Sequence, residues 1–90
     1  MDKKEYSSIR LEIPESVREK MERLLILDDD IQQVLCAAQA AGGGLYNRKK
    51  DIYIYHLQQR QLTFWVEYRP TSDGYYIENV YYHRLAIMES

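Results

Sequence analysis

The amino-acid sequence predicts an α+β domain in which an N-terminal helical hairpin packs on one face of a C-terminal three-stranded antiparallel meander. Two observations carry this reading. Apolar residues recur at helical spacing up to the triplet Gly42-Gly43-Gly44 and at strand spacing after it. Seven of the nine tyrosines, with the single Trp and Phe, lie from Tyr53 onward, where β-branched and aromatic residues suit a pleated surface.

Taken in order, residues 1–7 read as a charged, disordered tail. From Ser8 to Ile13, Ile9, Leu11 and Ile13 alternate with Arg10 and Glu12. That pattern predicts a short edge strand ending at Pro14, the competing reading being irregular chain leading into a helix. From Pro14 the period changes: Val17, Met21, Leu24 and Leu25 share one helical face, and Glu15 lies where the helix dipole favours an acid. Asp28-Asp29-Asp30 marks a second helix start with Asp28 as its N-cap. Ile31, Val34, Leu35 and Ala38 form its apolar stripe, and the glycine triplet ends it. The short link predicts that the two helices form a hairpin.

The second half predicts strands over Ile52 to Leu57, Leu62 to Tyr68 and Tyr75 to Tyr82, with Pro70-Thr71-Ser72-Asp73-Gly74 as a hairpin loop. In the middle strand Leu62, Phe64, Val66 and Tyr68 share the better core face, opposite Thr63, Trp65 and Glu67. Ile52 and Ile54 are expected to face the helices, which would put Tyr53 and Tyr55 beside Trp65 on the other face. Two helices cannot cover both faces, so an aromatic face is left open.

Ninety residues with 46% apolar content make one domain with a real core. A net charge of −2 gives no global attraction to nucleic acid or anionic membrane. One cysteine, Cys36, cannot form an intramolecular disulfide or a metal cluster, and its mid-helix position predicts a buried, inert thiol. The charged N-terminus is followed by no apolar run of signal-peptide or membrane-span type. These features lead to the expectation of a cytoplasmic protein that needs no membrane and no cofactor.

Candidate chemistry is thin. Three adjacent aspartates at a helix start diverge, so capping outweighs magnesium or calcium binding. The glycine triplet follows a helix and precedes strands, the reverse of a phosphate loop. His56 and His83 beside Glu67 and Arg84 would make an acid–base arrangement in principle, but no nucleophile or oxyanion site accompanies them. Arg48-Lys49-Lys50 next to aromatic strands has the ingredients of single-strand binding, yet the cluster is short and Asp51 follows it at once.

The expectation is therefore a non-catalytic interaction domain, working as a homodimer or with a protein partner. Its interaction face is assigned to Tyr53, Tyr55, Trp65, Glu67, His83 and Arg84. The cheaper explanation of the same residues is cross-strand pairing on a solvated sheet. A second expectation is a small-molecule pocket where His56, Asn79 and Tyr81 converge. A third comes from Ser8 to Glu15 followed by two helices, which resembles the strand–helix–helix order of ribbon-helix-helix repressors. There Glu12 would face DNA unhelpfully, so a nucleic-acid partner is the minority reading.

From Ile26 to Arg84, about two-thirds of the chain, the sequence resembles a small, poorly characterised bacterial family associated with anaerobic redox systems. The matching stretches are Ile26-Leu27-Asp28-Asp29-Asp30-Ile31, Leu45-Tyr46-Asn47, Thr63-Phe64-Trp65-Val66-Glu67-Tyr68, Asp73-Gly74 and Asn79-Val80-Tyr81-Tyr82-His83-Arg84. None is a chemical motif. The resemblance implies an accessory domain that partners an iron–sulfur or pyridine-nucleotide oxidoreductase and carries no electrons itself.

Overall fold

The helices start and stop for local reasons, and their two stops share one geometry. A computed structural model describes residues 4–84. A helical turn α1 (Lys4–Ser7) and a two-residue strand β1 (Leu11–Glu12) precede the helices α2 (Glu15–Leu24) and α3 (Asp28–Ala40). Pro14 caps α2 through its carbonyl, which accepts from the Val17 and Arg18 amides, and Glu15 places an acid in the first turn. The helix stops at Leu25, whose φ of 61° is left-handed, and the Ile26 amide reaches back to the Met21 carbonyl at 2.8 Å. α3 stops identically, with Gly42 at φ 91° and the Gly43 amide 2.7 Å from the Ala38 carbonyl. Glycine suits that position and leucine does not. At the α2 stop packing compensates, because the turn drives Ile26 into the core beside Met21.

The cap of α3 differs from the expectation. Leu27, not Asp28, is the N-cap, and the Leu27 amide donates to the Asp30 carboxylate at 2.8 Å. The third acid reaches back over the first turn, as in a capping box, while Asp28 is drawn to Arg18 on α2.

The sheet has five strands where three, or four with the edge strand, were expected. β2 (Leu45–Asn47), β3 (Ile52–Gln59), β4 (Leu62–Pro70) and β5 (Tyr75–Arg84) join β1 in the order β1-β5-β4-β3-β2. The meander β2 to β5 is antiparallel, and β1 pairs with β5 in parallel. Of Ser8 to Ile13 only Leu11 and Glu12 pair, opposite Tyr75 and Tyr76. Gly74 permits this contact: a Cβ there would lie 2.4 Å from the Arg10 carbonyl oxygen, which instead accepts from the Tyr75 amide at 3.0 Å. The expected tail is corrected over residues 4–7, which form α1 and bury Tyr6. Residues 1–3 lie outside the described residues.

The helical hairpin packs on one sheet face. Val17, Met21, Ile26, Ile31, Val34 and Leu35 meet Val66, Tyr68, Ile77 and Val80. Each fully buried aliphatic side chain contributes about 1.5–3 kcal/mol. Phe64, Val66 and Tyr68 therefore face the helices as expected. The expectation for β3 is inverted. Tyr53 pairs with Tyr68, Tyr55 with Val66 and Leu57 with Phe64, so these three turn toward the helices. Ile54 and His56 turn away, and Ile52, on their side of the strand, is nonetheless buried. Both faces of an Ile-Tyr-Ile-Tyr strand are apolar, so the pairing register decides: Tyr53 stacks on Tyr68 at 5.8 Å and makes a tilted contact with Tyr46 at 5.0 Å. On β5 a bulge opposite Glu67 and Tyr68 resets the alternation, so that Ile77 and Val80 share the core face.

Candidate interaction surface

The sheet face turned away from the helix core carries a row of rings across three strands. Antiparallel pairing sets His56 of β3 opposite Trp65 of β4, and Trp65 opposite Tyr81 of β5. The His56 and Trp65 rings stack with centroids 4.5 Å apart, and the Trp65 and Tyr81 rings lie 6.1 Å apart and 7° from parallel. His83 adds a tilted contact to both Trp65 and Tyr81. Such cross-strand pairs each contribute about 0.2–1 kcal/mol. Both histidines are exposed, while Trp65 and Tyr81 are half-buried by their neighbours. The Trp65 indole Nε1 is enclosed without a hydrogen-bond partner among the described residues.

Polar groups surround the stack. The Tyr81 hydroxyl donates to Glu67 at 3.5 Å. Burial, followed by the nearby Glu67 carboxylate, pushes the Tyr81 phenol above the ordinary tyrosine value. Lys20 of α2 donates to the Asn79 side chain at 2.9 Å, with its ammonium 5.5 Å from the centre of the Tyr81 ring. Arg69 pairs with Glu78 and lies over the Tyr76 ring.

Of the residues assigned from sequence to the interaction face, Trp65, Glu67 and His83 are together on this surface. Tyr53 and Tyr55 are not, since they pack against the helix-side core. Arg84 also falls elsewhere: it pairs with Leu62 and lines an open groove with Gln59, Arg60 and Phe64. The three residues assigned to a pocket are brought near one another, but on an open face. His56 and Tyr81 flank Trp65, and Asn79 faces Glu67 one step along. The void between sheet and helices lined by Ile26, Asp30, Ile31, Trp65 and Tyr81 is too small for a water molecule. His56 and Tyr81 therefore belong with the interaction face. Alternation could have placed His56 there once its register to Trp65 was known.

The remaining candidates are engaged locally. Asp28 pairs with Arg18, Asp29 accepts from Gln33 at 2.7 Å, and Asp30 caps α3. Among the described residues no three His, Cys, Asp or Glu side chains gather as a metal site. Cys36 sits in mid-helix as expected but is half-buried. Arg48-Lys49-Lys50 forms the β2–β3 turn, held by the Asn47 side chain, which accepts from the Lys49 and Lys50 amides. β1 is committed to β5 within the chain, whereas a ribbon-helix-helix dimer needs that strand free for a partner. No described helix is long and apolar enough to cross a membrane. No protein-family model, curated protein or solved structure matches this chain.

Proposed function

We propose that this chain is a non-catalytic interaction domain that self-associates through the open sheet face, with Trp65 at the centre of the contact. The observation that carries the reading is the stack of His56, Trp65 and Tyr81 on the face opposite the helix core. Half-buried Trp and Tyr rings rimmed by charge are the composition of association surfaces, and they lose more water when a second surface covers them. The rim supports a second copy as the occupant. Glu67 and Glu78 share the face with His56, His83 and Arg69, so a two-fold contact can set acids against bases.

In the redox setting implied by the resemblance over Ile26 to Arg84, such a domain would serve as an accessory that holds a partner in place. Sedimentation velocity on the wild type and on Trp65→Ala tests the proposal. A concentration-dependent association that weakens at least tenfold in the variant, with circular dichroism unchanged, is the expected outcome. Equal association of the two folded proteins would remove this face as the contact.

A further inference from the structure

The two edges of the sheet are built differently. At one edge β1 is two residues long, carries or is flanked by Arg10, Glu12 and Pro14, the charges and proline that discourage pairing with another chain, and covers β5 only at Tyr75 and Tyr76. β2 carries no such guard within the strand or before it, and the nearest charges are those of Arg48-Lys49-Lys50 in the turn that follows. From Gly42 to Asn47 there is no charged residue and no proline. Leu45 is 79% exposed and Tyr46 is 50% exposed, an unusual degree for apolar side chains on a strand. The inner side of β2 is paired with β3, and among the described residues nothing pairs with its outer side. An antiparallel strand turns half of its backbone N–H and C=O groups outward.

We infer that β2 is a docking strand for β2 of a second copy, the two pairing antiparallel to continue the sheet across the dimer. This contact is separate from the ring-bearing face and goes beyond the proposal made for it.

Charge selects a second copy as the occupant. α3 has three aspartates in its first turn and no basic residue in its last, so the partial negative charge at its C-terminal end is unanswered within the helix. That end, Ala40 followed by the glycine loop, leads directly into β2. The other end of β2 leads into Arg48-Lys49-Lys50. Antiparallel self-pairing therefore lays the basic turn of each copy beside the glycine loop and the α3 terminus of the other, whichever residue sits on the two-fold axis. Each copy supplies the cations that the other lacks, twice per dimer. The pairing also brings Leu45 of each copy against the strand of the other.

The two-fold axis of an edge pair is perpendicular to the sheet, whereas that of a face contact lies parallel to it. The two contacts are thus compatible, and where the two axes intersect they close into a set of four copies. Sedimentation equilibrium separates them through Leu45→Lys, Lys49→Glu with Lys50→Glu, and Trp65→Ala. Leu45 is exposed and the two lysines lie in an exposed turn, so these edge variants leave the core intact.

The expected result is four copies for the wild type, two for either edge variant, two for Trp65→Ala, and one when edge and face changes are combined. A wild-type dimer split by the edge variants alone would keep the β2 inference and remove the face proposal. A dimer split by Trp65→Ala alone would do the reverse. Amide hydrogen exchange gives a second readout: outward β2 amides between Leu45 and Asn47 should slow at least tenfold between dilute and concentrated wild type. A face contact supplies those amides with no hydrogen bond, so exchange independent of concentration would overturn the inference.

Discussion

The rings of Trp65 and Tyr81, on neighbouring strands, lie within 7° of parallel on the face that the helix core leaves open. Trp65 also stacks on His56, so one side chain bridges three strands. Removing it should affect association and stability unequally. Trp65→Ala should cost about 1 kcal/mol of folding free energy, from lost cross-strand contacts. The loss of association should be larger, about 2 kcal/mol or more. Urea titration and dilution sedimentation on the same samples measure both. A large stability loss with unchanged association would make Trp65 a structural residue only.

Ile77 of β5 and Ile54 of β3 test the face assignment. Ile77 is fully buried against the helices, and Ile77→Ala should cost about 2–5 kcal/mol, lowering Tm by roughly ten degrees or more. Ile54 is half-buried on the opposite face, and Ile54→Ala should cost about 1 kcal/mol or less in the dissociated protein. Comparable losses at the two positions would contradict the observed register.

Why Ile54 could not be placed from sequence is a matter of pattern. β4 alternates apolar residues with Thr63 and Glu67, so its core face is legible. β3 reads Ile-Tyr-Ile-Tyr, and a tyrosine is apolar enough for the core and polar enough for its edge. Only pairing resolves it: Tyr68 is buried, and its partner Tyr53 must follow. β5 is illegible for another reason, because one bulge shifts every residue before it to the other face. The helices were legible because their apolar spacing, Pro14 and the glycine triplet agree. β2, three residues after a flexible loop, carries no period at all. Trp65, Glu67 and His83 were thus found together from sequence, while Tyr53 and Tyr55 were assigned to the wrong side.

Leu25 offers a gain in stability. It occupies the same left-handed position at the end of α2 that Gly42 occupies at the end of α3, and its side chain is 84% exposed. A non-glycine residue there bears about 1–2 kcal/mol of steric cost, part of which is offset in glycine by a freer unfolded chain. Leu25→Gly should therefore stabilise the domain by about 0.5–1 kcal/mol, read as a rise of a few degrees in Tm. Leu25→Ala, which keeps the Cβ, should not. Equal effects of the two changes would show that exposure of leucine, not backbone strain, was the cost.

The aspartate run should prove unequal in its contributions. Asp30 holds the Leu27 amide at the start of α3, whereas Asp28 makes an exposed ion pair with Arg18. Asp30→Ala should cost about 1 kcal/mol and persist in high salt, because a capping hydrogen bond is short-ranged. Asp28→Ala should cost less than about 1 kcal/mol and lose its effect as salt screens the pair. Denaturation of both variants in low and high salt checks this, and the reverse order would identify Asp28 as the cap after all.

Tyr68 predicts how the fold responds to base. Its hydroxyl accepts the Gly44 amide at 3.0 Å while its ring is buried between Tyr53 and Tyr75. Burial pushes its phenol above the ordinary tyrosine value, and the Gly44 N–H, which favours the ionised oxygen, offsets only part of that rise. The folded state therefore holds the proton more tightly than the unfolded chain does. Stability from this group is complete below the unfolded value of about pH 10 and is lost as pH rises through the higher folded value. Tyr81 is shifted in the same direction and adds to the slope. Urea unfolding between pH 8 and about pH 11 should show a flat region followed by a decline. Tyr68→Phe should lower stability at every pH, through the lost Gly44 bond, yet make the alkaline decline shallower. An unchanged slope in that variant would mean that the decline arises from other groups.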